Sequence, residues 1–78
     1  MPSSTTPADI VLDVRALFAP EPMERVLDAL ASLQVGQQIR MLIEREPYPL
    51  YRILDQNNYR YACTEPEPGL FQIVIAER

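Results

Sequence analysis

Seventy-eight residues, 47% of them hydrophobic, with net charge −4, one cysteine and no histidine, describe one domain with one core. An intramolecular disulfide and a Cys/His zinc site within one chain are excluded. So is the clustered positive charge that nucleic acid needs, because seven basic residues, all arginine, are scattered among eleven acids.

From the N-terminus, Met1 to Ala8 is rich in Ser, Thr and Pro, has no basic start and no apolar stretch, and reads as a disordered tail rather than a secretory signal. The domain proper is expected over residues 9–78. Ile10 to Arg15 alternates: Ile10, Leu12 and Val14 on one side, Val11, Asp13 and Arg15 on the other. That is a strand with one covered face. Pro20-Glu21-Pro22 opens a helix, with Pro22 suited to the first helical position. Met23, Val26, Leu27, Leu30 and Leu33 form its buried stripe, and Gly36 is its expected stop.

Gln38 to Glu44 is a second strand, with Ile39, Met41 and Ile43 inward. Pro47-Tyr48-Pro49 opens a second helix whose stripe is Leu50, Ile53 and Leu54. Asn57-Asn58 is its left-handed exit. Tyr59 to Thr64 and Leu70 to Glu77 form a hairpin, and Glu65-Pro66-Glu67-Pro68-Gly69 reads as its turn. Phe71, Ile73 and Ile75 face the core, joined by Tyr59, Tyr61 and Cys63. The order β-α-β-α-β-β predicts a two-layer α/β sandwich: a four-stranded mixed sheet with both helices on one face. No apolar run approaches the roughly 20 residues of a membrane span.

Residues 20–28 align with residues 47–55, and five of the nine positions are identical. Convergence of two amphipathic helices explains part of this; a shared β-α geometry explains the rest. Two β-α units with right-handed crossovers bring both strand-to-helix loops to one edge of the sheet. The two helix N-termini then meet at one rim, whose free N–H groups favour an anion or a carboxylate.

Leu12-Asp13-Val14-Arg15 followed by Pro20-Glu21-Pro22 resembles the L-D-x-R-x-L-x-C-P-x-P start of the TusA/SirA-like sulfur-carrier proteins. Glu44-Arg45-Glu46-Pro47-Tyr48-Pro49-Leu50-Tyr51 is similar to the D-H-D-P-x-P-L-Y segment of an uncharacterised branch of that superfamily. The resemblance spans about residues 9–77. It implies the same sandwich and a cytoplasmic bacterial protein, a location that the single cysteine also favours. In the sulfur carriers the Cys before P-x-P holds a persulfide; here Ala19 stands there, and a methyl group carries no sulfur. Arg45 likewise replaces a His common in the uncharacterised branch, so any metal or redox role of that His is lost.

The candidate site is the rim: Asp13, Arg15, Glu21, Arg45, Glu46 and Tyr51, with Tyr48 between two prolines as the expected exposed contact. The arginines suit an oxyanion; alternatively the three acids neutralise them and cap the helices. No catalytic residue, metal or cofactor is expected. Three functions follow, in order: a non-catalytic adaptor for a protein partner in bacterial redox or sulfur/nitrogen metabolism, a binder of a small anion or sulfur metabolite at the helix N-termini, and a divergent sulfurtransferase using Cys63. The open sheet face, with Val11, Leu42, Val74 and Ala76 among Arg40, Glu44, Arg60 and Gln72, is a second possible docking surface.

Overall fold

The computed structural model describes residues 8–78; the expected tail thus lies outside them except for Ala8. The elements are β1 (Ile10–Asp13), α1 (Glu21–Ala31), β2 (Ile39–Ile43), α2 (Tyr48–Gln56), β3 (Tyr59–Glu67) and β4 (Leu70–Glu77). The strands form one mixed sheet in the order β1-β2-β4-β3. β1 and β2 are parallel, and β4 runs antiparallel to both β2 and β3. This is the expected two-layer sandwich.

The core rests on the two central strands. Ile39 and Met41 of β2 stand opposite Ile75 and Ile73 of β4, and all four are buried. Burying such side chains is worth roughly 1.5–3 kcal/mol each. Val26 and Ala29 of α1 and Leu50 and Leu54 of α2 cover them from the helical layer. Val14 is buried too. β1 is shorter than the alternation predicts, but its ladder persists one bond further, Val14 N–H donating to the Leu42 carbonyl at 3.0 Å.

Three expectations need correction. Leu27 belongs to the exposed side of α1, 40% accessible; the helix turns Val26 and Ala29 inward instead. Gly36 does not stop α1, which is capped at Ser32. Gly36 takes φ 83° inside a separate turn, closed by Gln37 N–H donating to the Gln34 carbonyl at 2.9 Å. The third concerns the hairpin: β3 continues through Glu65 and Pro66 to Glu67, leaving Pro68-Gly69 as the turn. Thr64 pairs with Gln72 and Glu67 with Leu70, so Glu65 and Pro66 together face Phe71. That is a β-bulge, and it tolerates a proline because β3 is an edge strand. Asn58 takes φ 64°, the left-handed exit expected of it.

Candidate functional site

Parallel β1 and β2 carry both strand-to-helix loops to one edge of the sheet, as the repeat predicts. The two PxP segments lie side by side there. Between them opens a cleft of about 720 Å³. Leu17, Phe18, Ala19, Pro20 and Met23 line one wall; Ile43, Arg45, Pro47, Pro49 and Leu50 line the other. The β3–β4 turn reaches the same edge, because Phe71 pairs with Ile43 and Glu67 with Leu70.

Both helices start alike, with a proline at the N-cap (Pro20, Pro47) and another in the first turn (Pro22, Pro49), and neither has a side-chain cap. The acids therefore do not cap. The amides expected to be free are largely taken: Glu21 N–H donates to the Phe18 carbonyl at 2.9 Å, Tyr48 N–H to Glu46 at 3.0 Å and Leu50 N–H to Pro47 at 3.0 Å. The prolines have no N–H to offer. An anion would find few backbone donors there.

The side chains of the rim divide into three groups. Arg15 is committed to Asp13: Nε donates to Oδ1 at 2.8 Å and Nη2 to Oδ2 at 2.6 Å. These bonds, and the Arg15 backbone N–H on Oδ1, lower the Asp13 pKa to about 2. Glu21 faces Arg25 one turn on, at 3.3 Å, and not Arg15. Glu46 accepts the hydroxyls of Tyr48 at 2.9 Å and Tyr51 at 3.0 Å. Arg45 makes no ion pair or side-chain hydrogen bond among the described residues.

The Glu46 clamp extends into an aromatic row along α2. Tyr48 meets Tyr51 edge-on at 5.9 Å, and Tyr51 stacks on Tyr61 of β3 at 4.7 Å. Tyr61 donates to Asp55 at 3.1 Å. Burial raises the Tyr51 pKa, and the neighbouring Cys63 and the hydrogen bond to Glu46 raise it further. Tyr48 is raised by its bond to Glu46, and Tyr61 by burial and Asp55. These phenols stay protonated, and their O–H groups are donors.

Cys63 is half-buried on the core side of β3, beneath this row. It is nearer the rim than its place in the chain indicates, but it does not line the cleft. Ala19, at the position of the sulfur-carrying cysteine in the resembled proteins, does. Phe18 is the residue that sequence reasoning missed: it stands 88% exposed on the lip of the cleft. An aromatic in a loop with no place in either alternation pattern is the signal that pointed to it. Tyr48, 67% exposed, is accessible as expected. On the open sheet face, Ala76 is buried and Val11 exposed. The cross-strand rows Val11-Arg40-Val74-Ala62 and Asp13-Leu42-Gln72-Thr64 mix apolar and polar residues, so no continuous apolar patch forms.

Residues 11–77 match the profile of a family described as uncharacterized conserved protein (DUF2249). The chain belongs to this family. A crystal structure of a SirA-like protein from Desulfitobacterium hafniense superposes on this DUF2249 domain with a TM-score of 0.75 at 20% sequence identity, over 88% of this chain and 99% of the other. The resemblance read from the PxP segments therefore holds for the fold. No curated protein matches the chain. No helix among the described residues of this DUF2249 domain is long and apolar enough to cross a membrane.

Proposed function

We propose that the chain is a non-catalytic protein-binding domain whose site is the cleft between the PxP turns. The observation that carries this reading is Phe18, held 88% exposed on the lip of a cleft walled by Leu17, Met23, Ile43 and prolines. An aromatic left in water beside an apolar cleft is the usual anchor of an interface. Ala19 in place of a sulfur-carrying cysteine supports binding over transfer. The resemblance to TusA/SirA-like proteins supports a bacterial, cytoplasmic setting in redox or sulfur/nitrogen metabolism.

The test is selection of random displayed peptides against the domain, with binders mapped by backbone amide shifts. Shifts centred on Leu17 to Met23 and Ile43 to Leu50, and abolished by Phe18→Ala, are the expected result. Binders that map to the open sheet face, or none at all, overturn the reading.

The anion reading retains Arg45 as its one uncommitted guanidinium at the rim among the described residues. Titration with thiosulfate, sulfite or phosphate, read at the amides of Met23 and Arg45, decides it; no shift at millimolar ligand removes it.

A further inference from the structure

The net charge of −4 is not spread over the molecule. The register places the two β-α loops, the starts of both helices and the β3–β4 turn at one end. That end carries the carboxylates of Asp13, Glu21, Glu24, Glu44, Glu46, Glu65 and Glu67 against Arg15, Arg25 and Arg45. At the opposite end Asp9, Asp55 and Glu77 are balanced by Arg40, Arg60 and Arg78. Asp28 in the second half of α1 and Arg52 at the middle of α2 cancel. The excess of negative charge therefore lies at the end of the molecule where the cleft opens, around a lining in which Arg15 and Arg45 balance Glu44 and Glu46.

Among those carboxylates, Glu44 and Glu67 form no ion pair or side-chain hydrogen bond among the described residues. Glu44 lines the cleft; Glu67 ends β3, on the far side of the sheet from β1 and outside the lining, at the same end of the molecule. Arg15 is already neutralised by Asp13. Their field is available to an incoming group, and at physiological salt it reaches about 8 Å from the surface.

Resting on the reading of the cleft as a protein-binding site, we infer that its occupant is a basic segment: an apolar side chain seated beside Phe18, flanked by lysine or arginine that meets Glu44 at the cleft and the acid-rich end around it, Glu67 included. Complementary charge around an apolar anchor raises the rate of encounter and rejects acidic partners.

Three capped pentapeptides test this, each with a central leucine, flanked on both sides by lysine, serine or glutamate. Amide shifts of the domain locate the peptide and give its affinity. The lysine peptide is expected to seat in the cleft, to weaken about tenfold between 50 and 500 mM salt, and to weaken roughly three- to tenfold in the Glu44→Gln/Glu67→Gln double variant. Serine or glutamate peptides that seat as tightly in the cleft overturn the charge assignment and leave the cleft as a site. Lysine-peptide binding that ignores both salt and the double substitution overturns it as well. If no peptide moves the cleft amides at millimolar concentration, the protein-binding reading falls and takes this inference with it.

Discussion

Leu27 and Leu54 occupy equivalent positions in the two halves of the repeat, yet one is 40% exposed and the other 0%. Replacing each with alanine separates shared sequence from shared environment. Leu54 sits in the cluster with Leu50, Ile73 and Ile75. Leu54→Ala loses the transfer energy of the removed carbons and leaves a cavity, together about 2–5 kcal/mol. A domain of this length holds about 4–12 kcal/mol in all, so the variant loses a large share of its stability. Its melting temperature falls by about 8 °C or more, at about 4–8 °C per kcal/mol. Leu27→Ala removes a side chain already in contact with water and costs below about 1 kcal/mol. Urea unfolding of the two variants and the parent is the assay, with unchanged slopes showing that only stability differs. Equal losses at the two positions would refute the reasoning, because they would mean that the helices present the same face to the sheet.

Three further outcomes are expected. The Asp13 carboxyl titrates at about 2 by carbon-detected NMR and returns toward about 3.9 in Arg15→Gln. Because this pKa is depressed in the folded state, the pair's stabilisation is present above the unfolded value and is lost as pH falls through about 2; a midpoint unmoved by the substitution removes the pair. Gly69→Ala meets no atom within 4 Å but must hold φ +81°, so denaturation should show a loss of about 1 kcal/mol from backbone strain alone; no loss would mean that the turn relaxes. Cys63, half-buried beneath Tyr51, should react with iodoacetamide many times more slowly in the native protein than in urea, and mass spectrometry should find it unmodified after a persulfide donor; a persulfide on Cys63 revives the sulfurtransferase alternative.

The architecture was readable in the sequence because its signals are local. Alternation in Ile10 to Val14 and Ile39 to Ile43, and the paired prolines at 20–22 and 47–49, each report on a neighbourhood of a few residues. The cleft followed from topology, since two parallel strands must deliver their loops to one edge. What escaped depends on contacts between distant segments. Leu27 carries the apolar signal of its neighbours, but the rotation of α1 about its axis is set by packing against β1 and β2, and Val26 and Ala29 took the inward places. Glu65 and Pro66 have poor strand propensity, but an edge position and a bulge admit them. Within the site, Glu46 was placed among the acids that neutralise arginine; its partners are two phenols, a pairing formed only when α2 brings Tyr51 back over the loop. The pairing of Asp13 with Arg15, two residues apart, was within reach of sequence reasoning and was among the alternatives. Phe18 was not among them: its place in a loop outside both alternation patterns was the available signal, and the walls of the cleft give that signal its meaning.

The bulge at Glu65–Pro66 bears on how this chain meets other molecules. β3 is an outer strand of the sheet, and a straight, unprotected outer strand invites another backbone to zip onto it. Here the proline removes one amide from that margin and the extra residue bends it, while the opposite margin, β1, is only four residues long. Extension of the sheet into ribbons or fibrils is thereby discouraged on both flanks, and recognition is left to side chains.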